Sequence, residues 1–248
     1  MSLVFIAAFI TMLASLSGTI FIWQSTGRWL RNNLRYLVTF SAGVFIVVVY
    51  NLFNESIEYG GSALLIVFTA ILGALFLEII ARLIPTSHHH HGINYSHKHT
   101  NIDARRLLWS DAVHNIIDGV LLVPAFLIDI QVGITTTIGI FLHEVVQEIS
   151  EFFILKEAGY STLRALTLSF LVSSTILIGV FVGMFISETS AFIPALIAFA
   201  AGAFLYVVFR DLIPSTIQDV QRKKKVLVHI IAGVSGVLVI LGVGMIAP

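Results

Sequence analysis

The sequence predicts an all-α, polytopic membrane protein with eight transmembrane helices and both termini outside the cytoplasm. Three observations carry that reading. Of the 248 residues, 57% are hydrophobic and only 11% are charged, against roughly one quarter charged in an ordinary soluble domain. Apolar runs recur at about residues 3–23, 35–53, 63–84, 107–129, 131–155, 162–187, 190–212 and 225–246, each near the roughly 20 residues that cross a bilayer as a helix. The 14 Lys and Arg all fall in or beside the odd-numbered connections, which the positive-inside rule assigns to the cytoplasm.

The first run, MSLVFIAAFITML, lacks the basic start and small-residue cleavage site of a signal peptide, so it is expected to stay in the mature protein. Arg28, Arg31 and Arg35 mark the first cytoplasmic connection. The second run ends outside in Asn51, Asn54, Glu55 and Glu58; Asn51 and Glu55 are candidates for gathering cations at an entrance, with a hydrated helix end as the alternative. Glu78, near the cytoplasmic end of the third run, suits either an exit lining or an interhelical contact. The third connection, PTSHHHHGINYSHKHTNIDARR at 85–106, holds six of the nine histidines and reads as a polar cytoplasmic loop. There His88, His89, His90, His91, His97 and His99 are candidate ligands for a metal near the exit, or parts of a solvated spacer.

The shortest connection, around residues 128–130, sets the fourth and fifth runs side by side. Lys156 and Arg164 flank the fifth connection, and Arg210 with residues 222–225 flank the seventh. His229, alone on the last run, reads as packed or hydrogen-bonded. The runs are too long and continuous for barrel strands, and their Ala, Gly and Leu suit helices packed through small residues. No soluble domain or repeat is visible, so residues 1–248 read as one transmembrane domain. There are no cysteines, which excludes disulfides and thiolate metal sites and leaves imidazole, carboxylate, amide and water as ligands. The basic rim suits anionic lipid headgroups; nothing points to nucleic acid.

The fourth and fifth runs carry the chemistry. At 100° per residue, Asp111, His114, Asn115 and Asp118 share an arc of about 100° on one helix, and His143, Glu144, Gln147, Glu148 and Glu151 an arc of about 140° on the next. Asp118 and His143 both lie about halfway across, so the two polar stripes can meet. A carboxylate at that depth must be protonated, hydrated or paired with a cation, and no Lys or Arg sits centrally in any run. A divalent cation fits that deficit, because carboxylates and neutral imidazoles can share one doubly charged centre. His114 with Asp118, and His143 with Gln147, have the i, i+4 spacing to reach one ion. Nitrogen and oxygen donors suit zinc, iron and manganese. A proton relay is the main competing use of such residues.

These stretches resemble the signature of the ZIP (Zrt/Irt-like) family of divalent metal transporters. HNIIDG at 114–119 is similar to the family's HNxxDG, and HEVVQEISEF at 143–152 to HExPHExxDF. The stretch AAGAFLYVVFRDLIPS at 200–215 is similar to AGxFLYxxxxDxxPE. The resemblance implies an eight-helix bundle that carries zinc, with Fe2+, Mn2+ and Cd2+ as alternatives, inward across a plasma or inner membrane. It implies no enzymatic activity or bound cofactor, and it suggests a homodimer. It makes His114, Asp118, His143 and Gln147 metal ligands, and turns Asn115 and Glu144 to a second, adjacent position. Gln147 or Glu148 completes the shell, while Asp111 and Glu151 are candidates for the exit. Gln147 stands where many members carry His or Glu, Val146 where Pro is usual, and Arg210 where a carboxylate is expected; helix 6 offers Ser169. A neutral Gln147 weakens a bridge between two metals, so one well-formed site is expected. The resemblance also implies an elevator-like or rocking motion of the part holding helices 4 and 5.

Two further readings stay open at this level. HEVVQ differs by one residue from the HExxH of zinc metalloproteases, whose second His is needed to hold the metal. A proton-coupled transporter of another solute would also place acids in the membrane. No G-x-x-x-x-G-K-[ST] loop exists to cradle a nucleotide, which sets primary pumping aside.

Overall fold

The computed structural model describes residues 2–22, 24–83, 101–187, 193–223 and 225–246. Its order is α1 (Ser2–Met12) running into a 3₁₀ stretch (Leu13–Ile22), α2 (Gln24–Glu58), α3 (Ala63–Leu83), α4 (Asn101–Ile128), α5 (Ile130–Glu157), α6 (Thr162–Ser173) and α7 (Ile176–Ile186). It ends with α8 (Ile193–Val207), a π-helical turn (Val208–Leu212), α9 (Ile213–Lys223) and α10 (Val226–Ile246). Among the described residues the secondary structure is helical throughout, with no strands.

Among the described residues, seven segments are long and apolar enough to cross a membrane. The expected fifth run, α5, falls short of that standard because its histidine, glutamates and glutamine dilute its apolar length, yet it forms one continuous helix. The helices outrun the apolar runs at several ends. α2 begins at Gln24 rather than near 35, α4 at Asn101 rather than 107, and α9 carries the chain of the seventh run on to Lys223. Apolar length measures what lies in lipid, whereas a helix continues into the polar zone for as long as its backbone bonds hold. The sixth run, expected as one helix, is two, α6 and α7, divided at Ser174 and Thr175. There the Thr175 hydroxyl donates to the Ala112 carbonyl of α4 at 2.8 Å.

The helices pack as two groups. α2 lies against α8 and α10, and α3 against α8; α4 lies against α5, α6 and α7, with α1 and its 3₁₀ extension against α5. The main contact between the groups is α2 on α5, where Phe45 stacks on Phe204 and meets the His143 ring edge-on at 6.0 Å between centroids. Small residues set the closest crossings. On α4, Gly119 lies so near α7 that a Cβ there would stand 2.1 Å from the Ile176 carbonyl oxygen, and one on Gly179 would stand 1.9 Å from that of Ile116. Asp129 alone joins α4 to α5, capping α5 by accepting the Gln131 N–H, as the short connection led one to expect.

Candidate metal centre

The two polar stripes face each other. The His114 and His143 rings lie 5.4 Å apart between centroids, and ligand atoms of His114, His143 and Glu144 lie within 4.8 Å of one another. His114 Nε2 is 3.4 Å from Glu144 Oε1 and 3.8 Å from Asp118 Oδ2. Asp118, His143 and Glu144 are buried, and His114 is 22% exposed, which leaves one imidazole accessible beside covered acids. Among the described residues, no Lys or Arg forms an ion pair with these carboxylates. Two imidazoles and two carboxylates of this kind make a nitrogen–oxygen donor set suited to a transition metal.

A second group lies one helical turn away. Ligand oxygens of Asp111, Glu148 and Glu151 also fall within 4.8 Å of one another. The amide of Gln147 donates to Asp111 Oδ1 at 2.7 Å, and that of Asn115 donates to the same oxygen at 3.0 Å. The nine polar residues therefore divide between two clusters, a division that angular position alone does not reveal. Glu148 sits with Asp111 and Glu151, bonded to Ser173 of α6. Ser173 was missed in the sequence, although it lies one turn beyond Ser169 on the same face.

A cavity reaches the imidazoles from the end where α3 finishes and α4 begins. His114, His143 and Gln147 line it, and α3 and the α8–π junction close its other side with Glu78, Arg82, Tyr206, Arg210 and Asp211. Glu78 accepts from the Tyr206 hydroxyl at 2.7 Å and pairs with Arg82, so it combines the interhelical and lining roles foreseen as alternatives. Asn51 and Glu55 lie toward the other end: Glu55 neighbours Glu58 and Asp129, and the Tyr59 hydroxyl of the same terminus meets the Ile128 carbonyl. His88, His89, His90, His91, His97 and His99 fall outside the described residues. His229 is hydrogen-bonded as expected: Nδ1 lies 2.7 Å from the Thr39 hydroxyl and Nε2 3.0 Å from Asp219, which also pairs with Arg35 at 3.3 Å.

Fold and site together define a helical membrane protein that buries histidines and carboxylates able to hold a metal ion between two adjacent helices. The model of the family described as ZIP zinc transporter matches residues 100–245, more than half of the chain, and the chain belongs to that family. It is 35% identical over 115 residues to the metal cation symporter ZIP8 of Rattus norvegicus, covering 46% of this chain and 24% of that protein. To the zinc transporter ZIP4 of Homo sapiens it is 32% identical over 108 residues, 44% of this chain and 17% of the relative. To the metal cation symporter ZIP14 of Homo sapiens it is 30% identical over 191 residues, 74% and 37%. The chain thus matches well under half the length of each of these relatives. Gln147 stands in place of the second histidine of HExxH, which a metalloprotease needs to hold its zinc.

Proposed function

We propose that this chain carries a divalent transition-metal ion, zinc foremost, across a membrane into the cytoplasm. The ion is held between α4 and α5 by His114, Asp118, His143 and Glu144. The observation that carries this reading is the convergence of two imidazoles, which line a cavity, with two buried carboxylates that no Lys or Arg among the described residues pairs with. Asn115 and Gln147 bear on the ion indirectly by holding Asp111. The positive-inside rule sets both termini outside and opens the cavity to the cytoplasm; the surrounding membrane is a plasma or inner membrane. The whole chain acts as one transmembrane domain, and the group α1, α4–α7 shifts against α2, α3, α8 and α10. A homodimer is the expected assembly. Fe2+, Mn2+ and Cd2+ are the competing cargoes.

The test is reconstitution in liposomes with an internal zinc reporter. Wild type fills the vesicles with zinc, and His114→Ala at equal incorporation does not. Equal uptake by the two proteins would remove His114 from the pathway.

A further inference from the structure

The cavity wall that faces the imidazoles carries more positive charge than it uses. Arg82 and Arg210 both line it, across from His114 and His143. Arg82 is engaged: it pairs with Glu78, whose carboxylate also accepts the Tyr206 hydroxyl at 2.7 Å. Arg210 lies beside Tyr206 and Glu78 and is exposed, and among the described residues it forms no ion pair with a carboxylate. Its backbone is irregular. Arg210 rides on the π-helical turn Val208–Leu212, where the Ile213 N–H reaches back to the Val208 carbonyl, and Pro214 has no N–H to offer the Arg210 carbonyl one turn behind it. Single π-turns of this kind recur at functional sites. Fixed helices bracket the turn: a Cβ on Gly202 of α8 would stand 1.9 Å from the Ala70 carbonyl oxygen of α3, and Asp219 of α9 pairs with Arg35 of α2 at 3.3 Å. The guanidinium is therefore the part of this wall left to move.

Across the cavity, Asp118 and Glu144 are buried beside His114, and among the described residues no Lys or Arg pairs with either. A divalent cargo neutralises them while it is bound. After its release the same carboxylates must return through an apolar interior, where an unpaired charge is strongly disfavoured. We propose that Arg210 is the counter-ion of the unloaded carrier: once the cargo has passed into the cytoplasm, its guanidinium swings from Tyr206 across the cavity to the carboxylates beside His114 and offsets part of their charge while the helix groups return. A guanidinium suits this task because it stays charged at any physiological pH and meets a carboxylate through two parallel N–H donors. Arg210 shares the cavity by which the ion leaves, so it can enter only behind the departing ion. This gives a use to a residue that stands where the family pattern leads one to expect a carboxylate. The assignment rests on the reading of His114 and His143 as the carrying site and deepens it.

Two zinc fluxes measured on the full chain in liposomes separate the steps. Exchange of radioactive zinc outside for zinc inside never returns the carrier unloaded, whereas net uptake into zinc-free vesicles does so in every cycle. Wild type should show both. Arg210→Gln should keep exchange, which also shows that the variant is folded, and lose net uptake by about tenfold or more. Arg210→Lys, which keeps the charge, should regain most of the net uptake, and Arg82→Gln should leave the ratio of the two fluxes as in wild type. Equal loss of both fluxes in Arg210→Gln, an unchanged ratio in that variant, or the same split in Arg82→Gln overturns the assignment to Arg210 while the carrying site stands. Absence of zinc exchange in wild type removes the carrier reading and the counter-ion with it.

Discussion

His114 is reached by two carboxylates at 3.4 and 3.8 Å, and this crowding sets its behaviour with pH. Metal displaces protons from imidazole and carboxylate alike, so protons compete with the ion and uptake falls as pH is lowered. Uptake measured in liposomes from about pH 7.5 downward should decline steeply; a flat profile to about pH 5 excludes direct ligation. Asp118→Ala should abolish uptake while surface expression stays normal, and retained transport would remove Asp118 from the shell. His229 makes a useful contrast. It is buried between Thr39 and Asp219 in the other helix group, so His229→Ala should lower thermal stability by about 1–3 kcal/mol through the unpaired polar groups it leaves. The metal preference of the remaining uptake should not change.

At the scale of elements, the glycine of HNIIDG has a packing reason as well as a place in a motif. Gly119 and Gly179 bring the α4 and α7 backbones into contact, with no room for a Cβ on either side. Gly119→Leu should therefore push α7 away and destabilise the purified protein by about 1–3 kcal/mol, as overpacking does, while Gly242→Leu, which faces open space, should leave melting unchanged. Thermal unfolding in detergent checks both. The spans were legible because lipid demands about 20 apolar residues whatever the neighbours are. Their ends were not: Arg28, Arg31 and Arg35 mark a polar zone, and the helix runs through it. Nor was the break at Ser174 and Thr175, which depends on the bond from Thr175 to a carbonyl of α4.

For the whole molecule, the two helix groups meet chiefly where α2 crosses α5. A Cβ on Gly139 would lie 3.3 Å from the nearest side-chain carbon of Val44, close enough for a disulfide between cysteines placed at both positions. Since the chain has no cysteine of its own, Val44→Cys with Gly139→Cys should give one clean cross-link. Oxidation should stop zinc uptake and reduction should restore it; uptake that survives full oxidation would mean the groups need not slide. This level was least legible beforehand. Helical angles brought His114, His143 and Glu144 together, because facing stripes on neighbouring helices have few other places to go. The wall supplied by Glu78, Tyr206 and Arg210, and the partnership of Asp219 with His229, join helices far apart in the chain, and no spacing rule reports them.

Asp129 is all the chain that separates α4 from α5. A tether of one residue, already fixed by its bond to the Gln131 N–H, leaves neither helix free to advance a turn past the other. The polar side chains of α4 and α5 are thereby held in one fixed register, as the two halves of a single rigid cassette.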